Sequence, residues 1–320
     1  NLDRGLVVIP TENGNAISWR LLQKDPINKG FHVFRNGKKL TKKPLSSATF
    51  FMDTQGKAGD KYQVMIEGEH HLHDKKDNYV TPWNNTYLSI PLNKPKNDSL
   101  FGVTHSYSAN DASVADLDGD GDYEVIVKWE PSNAKDNSQS GYTGNVFIDA
   151  YTLEGEQLWR INLGKNIRSG AHYTQFMVYD LDGDGIAELV CKTADGTTDS
   201  EGNVVGDASK DWVDRDPDSK TYGKILKGPE YLSVFDGRTG KLITTVDYMP
   251  QRGDLAGWGG RGGSGGNDTK GNRMDRFLAC IAYLDGVHPS VVMCRGYYGR
   301  TVLAAWDFKN KKLTSKWVFD

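Results

Sequence analysis

The stretch Asp116-Leu117-Asp118-Gly119-Asp120-Gly121-Asp122-Tyr123-Glu124 runs directly into Val125-Ile126-Val127-Lys128-Trp129. The same pattern returns as Asp180-Leu181-Asp182-Gly183-Asp184-Gly185-Ile186-Ala187-Glu188, followed by Leu189-Val190-Cys191-Lys192-Thr193. The segments ahead of the two loops also correspond: Ala112-Ser113-Val114-Ala115 and Phe176-Met177-Val178-Tyr179. A degenerate third copy reads Ala282-Tyr283-Leu284-Asp285-Gly286, then Ser290-Val291-Val292-Met293-Cys294. Calcium takes roughly six to eight oxygen ligands, and alternate positions of a tight loop can aim carboxylates at one centre. In the first loop Asp116, Asp118 and Asp120 converge, Asp122 offers its backbone carbonyl, and Glu124 closes the cage. In the second loop Asp180, Asp182, Asp184, the Ile186 carbonyl and Glu188 take the same places. Ile186 fits because a main-chain ligand leaves its side chain free. Carboxylates packed this tightly repel one another without a cation, so calcium is the expected cofactor. The loops enter strands, which excludes a pair of helix-flanked calcium hands.

A second element recurs between the loops. Ile148 to Trp159, Leu232 to Leu242 and Leu303 to Leu313 each read as strand, polar turn, strand, with an aromatic before the turn and Leu after it. One loop, one strand and one such hairpin make a sheet of about four strands, the unit of a propeller blade. About three blades fit between residues 100 and 320, whereas propellers close with roughly four to eight. The final strand Ser315-Lys316-Trp317-Val318-Phe319-Asp320 has no cap after it, so the natural protein is expected to continue beyond Asp320.

Residues 1–90 read differently. Short alternating segments occur at Ala16 to Leu21, Phe31 to Arg35, Thr49 to Asp53 and Lys61 to Ile66, with turns between them. Asn36-Gly37 is a strong hairpin signal. This spacing predicts a β-sandwich. Trp19 and Tyr62 resemble core residues of fibronectin type III modules, and Trp19 is expected in the core and not on a sugar. The cluster His70, His71, His73 reads as a polar interdomain loop, because no further metal ligand is placed by spacing. The expected organisation is therefore all-β: a fibronectin-III-like sandwich over 1–90, then calcium-stapled blades over 91–320.

Composition bounds the function. The 320 residues carry 39 Lys+Arg against 42 Asp+Glu, a net charge of −3, which gives no electrostatic case for nucleic acid or an anionic membrane. No apolar stretch approaches the ~20 residues of a membrane helix. The three cysteines, Cys191, Cys280 and Cys294, are too scattered for a disulfide framework or zinc cluster and are expected as buried thiols. The chain opens at Asn1 without Met or a leader, which reads as a processed or trimmed form. The long connections Pro131 to Gly144, Asp195 to Gly228 and Pro250 to Arg273 are the expected working surface. The glycine-rich run Gly257 to Gly266 lacks a following Gly-Lys-Ser/Thr and reads as a surface insertion, not a phosphate loop. No H-E-x-x-H helix is present.

Several stretches resemble the rhamnogalacturonan lyases of polysaccharide lyase family eleven. They are Leu2-Asp3-Arg4-Gly5, Ser106 to Ser113, Asn162 to Phe176, Lys192 to Thr197, and Cys294-Arg295-Gly296-Tyr297-Tyr298. The likeness spans essentially the whole chain in order. It implies an N-terminal β-sheet domain, an eight-bladed propeller with several calcium ions, and bacterial enzymes of pectin breakdown. It implies β-elimination between rhamnose and galacturonate in the rhamnogalacturonan I backbone. The expected partner is thus a pectic polysaccharide, the expected protein a monomer, and its place secreted, cell-surface or periplasmic. The resemblance also implies that Asn110 and Glu130 bind the sugar, although the family carries Asp where this chain has Glu130, and that Asp111 is a further calcium or cleft ligand. The family's proton-transfer residues lie in a C-terminal half outside this sequence, so no catalytic base is assigned.

β-Elimination removes the proton α to the uronate carboxylate and expels the oxygen on the neighbouring carbon. The carboxylate must be neutralised by calcium or by Arg or Lys, and a base must reach the proton. His172, Lys192, Arg168 and Arg295 are side chains of the right kind, with structural roles equally open to each. Two other function classes remain. A non-catalytic calcium propeller that binds glycans or proteins would share the loops. A glycoside hydrolase would need two carboxylates across a cleft and would release no unsaturated uronate.

Overall fold

The computed structural model describes residues 3–68, 79–259 and 268–320. The chain divides into two compact units, Asn1–Ile90 and Pro91–Asp320. Among the described residues the regular structure is β-strand, with one short 3-10 turn at Leu255–Gly259. His70, His71 and His73, and residues 260–266 of the glycine-rich run, lie outside the described residues.

The first unit contains two three-stranded antiparallel sheets. β1 (Val7–Thr11), β2 (Gly14–Ser18) and β5 (Phe50–Asp53) form one, in the order β1-β2-β5. β3 (Phe31–Arg35), β4 (Lys38–Lys39) and β6 (Tyr62–Ile66) form the other, in the order β4-β3-β6. Alternate side chains of both sheets meet in one core of Val8, Ile17, Trp19, Phe31, Val33, Tyr62, Val64 and Ile66. Trp19 is buried there with its ring edge-on to Phe31 at 5.6 Å between centroids, as its alternating flanks predict. Asn36 and Gly37 both take positive φ, 49° and 76°, the two-residue turn whose twist matches the strands it joins. Tyr62 Oη donates to the Asp53 carboxylate at 2.7 Å, and burial with that bond pushes the phenol up to about 12.

The second unit holds a two-stranded ribbon, β7 (Asp98–Leu100) with β8 (Val103–His105), and three four-stranded antiparallel sheets. Sheet one comprises β9 (Tyr107–Ala115), β10 (Glu124–Pro131), β11 (Phe147–Tyr151) and β12 (Gln157–Asn162). Sheet two comprises β13 (Phe176–Tyr179), β14 (Glu188–Thr193), β15 (Tyr231–Phe235) and β16 (Leu242–Asp247). Sheet three comprises β17 (Phe277–Ala282), β18 (Ser290–Gly296), β19 (Thr301–Lys309) and β20 (Lys312–Phe319). In each of the three four-stranded sheets consecutive strands are neighbours. The three repeats of the sequence are therefore three meanders of the same order. Across the sheets β13 approaches both β9 and β17, and β16 approaches β20.

The central strands are the most apolar because both their faces are covered. β14 is buried at every position, and so is β18. One core lies between sheets one and two, built on Ile126, Ile148, Trp159, Leu189 and Phe235. Another lies between sheets two and three, built on Val190, Val234, Phe277, Val291 and Trp306. At ~25 cal/mol per Å2 of apolar surface, these interlayer cores are the main favourable term for the unit. All three cysteines are free, and Cys191 and Cys294 are buried on the central strands. Cys280 departs from expectation and is exposed. It sits on β17, the edge strand of its sheet, where Leu278 and Cys280 alternate outward while Phe277, Ala279 and Ile281 turn to the core.

Candidate functional site

Two kinds of polar site sit at opposite ends of the strands. At the start of β10, Asp116, Asp118 and Glu124 bring carboxylate oxygens within 4.8 Å of one another. At the start of β14, Asp180, Asp182 and Glu188 do the same. The loop backbone is wound to allow it. Gly119 and Gly183 both take φ of 83°, and the first Asp of each loop accepts two backbone N–H bonds from the turn. The closing Glu accepts from the backbone of the residue after that Asp, Leu117 at 2.7 Å and Leu181 at 2.9 Å. Burial pushes the Glu124 carboxyl up to about 7 and Glu188 to about 8, with the neighbouring aspartates adding repulsion. Asp120 and Asp184 stay on the rim, each accepting a bond from the backbone two residues on. They, with the Asp122 and Ile186 carbonyls, are not in the three-carboxylate groups.

The first loop is also a joint between sheets. The Ala187 N–H donates to the Asp116 carbonyl at 2.9 Å, and Arg238 donates to the Asp118 carbonyl at 3.1 Å. In the third, degenerate loop an internal pair replaces the acidic group. Asp285 accepts from the backbone of Val287 and His288, and its other oxygen pairs with His288 Nδ1 at 2.8 Å. These bonds hold the Asp285 carboxyl well below the usual carboxylate range.

At the far end of β10 the strand register breaks. Val127 faces Ala112 and Trp129 faces Ala109, so Asn110 and Asp111 stand opposite Lys128 alone. Such a bulge re-aims side chains. Here it sets the Asp111 carboxylate on the Lys128 ammonium, which also donates to the Thr174 carbonyl. Asp111 thus lies with a cation of the protein, away from both acidic loops. A shallow recess beside it is lined by Lys128, Glu130, Ser169, Gly170 and Thr174. Asn110 is exposed on β9 and Glu130 half-buried on β10. The structure therefore gathers Asn110, Asp111 and Glu130 at one end of sheet one.

The turn 169–174 links this recess to a second cluster. Lys135 N–H donates to the Ser169 carbonyl at 3.0 Å. A Cβ on Gly170 would lie 2.0 Å from the Lys135 oxygen, so only glycine allows this approach. Asp136 then lies 3.8 Å from His172 Nε2 and 4.0 Å from Arg276. His172 Nδ1 meets Tyr297 Oη at 3.1 Å. Burial and the Arg276 charge lower the His172 pKa against the pull of Asp136, which keeps the imidazole neutral near pH 7. Against the cost of burial, bonds from Ser138 hold Asp136 low.

The other cations named from the sequence have structural partners. Glu230, wholly buried, accepts from Lys192 at 2.8 Å, from Arg295 at 2.7 Å and pairs with Arg252 at 3.2 Å. Despite that burial, the three cations hold its carboxyl far below normal. Arg295 also reaches Asp275 at 3.5 Å. Arg168 donates to the carbonyls of Asp136, Gln139 and Gly141 and to Tyr173 Oη, bracing the connection after β10. Of the four candidates only His172, with 30% of its side chain exposed, opens to solvent. Lys128, Asp136, Arg276 and Tyr297 were not singled out from the sequence. For Lys128 the signal was a lone cation inside an apolar strand.

Comparison with known proteins matches this arrangement to one family. The pattern described as rhamnogalacturonan lyase family 11, C-terminal domain, matches residues 87–320, and that of the rhamnogalacturonan I lyase β-sheet domain matches residues 1–83. The rhamnogalacturonan exolyase YesX of Bacillus subtilis (strain 168) is 53% identical over 320 residues, covering 100% of this chain and 50% of that protein. The endolyase YesW of the same organism is 50% identical, covering 100% of this chain and 49% of that protein. The crystal structure of YesX superposes with a TM-score of 0.87 over 99% of this chain and 50% of its own. A Bacillus licheniformis rhamnogalacturonan lyase, 54% identical, gives 0.87 over 100% of this chain and 52% of its own. The chain spans about half the length of the curated relatives it matches. On these matches the chain belongs to rhamnogalacturonan lyase family 11.

Proposed function

We propose that this chain serves a rhamnogalacturonan lyase that cleaves the rhamnose–galacturonate backbone of pectin by β-elimination. The observation that carries the reading is 50–53% identity along the entire chain to an exolyase and an endolyase of this polymer. A pectic substrate lies outside cells that digest it, so the protein works as a secreted, cell-surface or periplasmic one.

The finer architecture follows the same reading. The three meanders are blades of a β-propeller, supported by their identical order and by the approach of β13 to both β9 and β17. The two sheets of the first unit are a sandwich of the fibronectin III kind, supported by their shared core.

Calcium fits the two acidic loops. All the donors are hard oxygens, the carboxylates already converge, and the raised Glu124 and Glu188 mark negative charge that a cation would relieve. Asp116, Asp118, Asp120, the Asp122 carbonyl and Glu124 would hold one ion. Asp180, Asp182, Asp184, the Ile186 carbonyl and Glu188 would hold the second. Both lie at strand starts remote from the recess, so the ions brace blades and supply charge neutralisation there.

On the surface around the recess, exposed Asn110 and half-buried Glu130 offer hydrogen bonds to sugar hydroxyls, and Lys128 fixes Asp111 at the same end of the sheet. Lys192, Arg295 and Arg168 hold the scaffold. The test is ultraviolet absorbance during incubation with rhamnogalacturonan I, with calcium and then with chelator. A rise marks the unsaturated uronate of elimination. Reducing sugar released without absorbance would instead make the protein a hydrolase; binding without either would leave a partial enzyme or a glycan-binding propeller, which the same assay on a protein of the relatives' full length separates.

A further inference from the structure

We propose that Arg276, with His172 and Tyr297 beside it, is a recognition station for a uronate carboxylate; this rests on the lyase reading above. Four segments from three sheets converge on it. Asp136 comes from the connection after β10, and His172 from the turn before β13. Arg276 immediately precedes β17, and Tyr297 immediately follows β18. The same turn that carries His172 lines the recess of Lys128 and Glu130 through Ser169, Gly170 and Thr174, so the station borders that surface.

The chemistry of Arg276 singles it out. Its side chain is about nine-tenths buried, yet it bonds only neutral oxygens: Nε to the Asn272 carbonyl at 3.0 Å and Nη2 to Asn272 Oδ1 at 2.9 Å. The nearest carboxylate, Asp136, stands at 4.0 Å and is engaged by Ser138. Tyr298 lies against both Arg276 and Arg273, with guanidinium carbons 4.8 and 4.7 Å from its ring centre. A buried guanidinium whose counter-ion stands only at the outer limit of an ion pair is poorly compensated. Its planar fork suits a carboxylate in two-point contact. Beside it, His172 and the Tyr297 hydroxyl add hydrogen-bonding groups, and Asp136, the one carboxylate at the cluster, is already engaged by Ser138.

The backbone is held to present this group. Tyr297 takes φ of 90° and Gly296 before it 91°. A Cβ on Gly296 would lie 2.1 Å from the Arg300 carbonyl oxygen. Left-handed backbone at a tyrosine is strained and persists where the surroundings impose it; here it sets the phenol on His172. Galacturonate alternates with neutral rhamnose along the polymer. One station per repeat would therefore fix which residue lies in the recess, and would neutralise the charge that opposes removal of the α-proton.

The test is calorimetric titration of the chain with rhamnogalacturonan oligosaccharides and with their carboxyl-reduced, neutral counterparts. The native protein is expected to bind the acidic form at least tenfold more tightly. Arg276→Gln should weaken acidic-form binding about tenfold and leave neutral-form binding unchanged, while Arg276→Lys, which keeps charge but not the fork, falls between. If Arg276→Gln fails to fold by circular dichroism, His172→Gln, at the more exposed edge, should give a smaller loss of the same selectivity. Equal weakening of both forms, or no preference in the native protein, overturns the proposal. Absorbance of the same mixtures separates the readings: selective binding without unsaturated product supports the station independently of the lyase reading.

Discussion

At Asp182 and Asp285 one loop position has two fates. Asp182 faces Asp180 and Glu188, and burial with the neighbouring Asp184 raises its pKa. Asp285 faces His288, an exposed partner whose Nδ1 bonds the carboxylate from within the chain. Asp182→Ala should therefore lower the melting temperature in calcium by several degrees and change it little in chelator. A loss of activity with unchanged melting would show instead that the ion serves the chemistry. His288→Ala should shift melting little in either condition, since exposed pairs contribute about 0–1 kcal/mol. The acidic loops were legible because their spacing encodes the geometry. The His288 substitute was not, because a single Asp followed by His two residues after a glycine resembles any turn. Gly170 shows the same limit: its need arises from the Lys135 oxygen, 35 positions earlier in the chain, and not from its neighbours. Gly170→Ala is expected to destabilise by roughly 1–3 kcal/mol, measurable by urea unfolding.

At the scale of the element, β14 and β18 read as buried strands, and they are. Lys192 and Arg295 near their ends looked equally suited to substrate. The structure sends both inward to Glu230, which precedes β15. Sequence periodicity could not decide this, since a long cation at a strand end can snorkel out or pair within, and its partner lies in a different segment. Glu230→Gln leaves Lys192, Arg252 and Arg295 around a neutral amide, with Asp275 the remaining carboxylate. Breaking a buried pair in this way costs about 3–5 kcal/mol, to be measured by denaturant unfolding. Its pH dependence follows from the lowered Glu230 pKa. The unfolded chain binds the proton first as pH falls past about 4.5. The stabilisation is complete above that value and is lost as acid is added, so Glu230→Gln should remove part of the acid sensitivity. An unchanged acid transition would place the sensitivity in another carboxylate.

At the scale of the molecule, the strand order of three sheets and the division near residue 90 follow from local signals repeated along the chain. Hairpins are short-range, and their turns carry their own instructions. The cluster of Asp136, His172, Arg276 and Tyr297 is different, for it exists only once three sheets stand side by side. Its members are up to 161 positions apart and share no pattern. The calcium loops are where stacking and ligand meet, because Asp116 and Asp118 take bonds from Ala187 and Arg238 of the next sheet. Filling them should stabilise the stack, whereas the first unit, with a core of its own and neither loop, has no such dependence. Differential scanning calorimetry should show this directly. An ion that binds the folded state adds RT ln(1 + [L]/Kd), about 2.7 kcal/mol at a hundredfold excess over Kd. Chelation is thus expected to lower the transition of the larger unit and leave a smaller transition, that of residues 1–90, in place. If both fall together, the units unfold as one and the ions stabilise the whole chain; if neither moves, the acidic loops do not hold calcium.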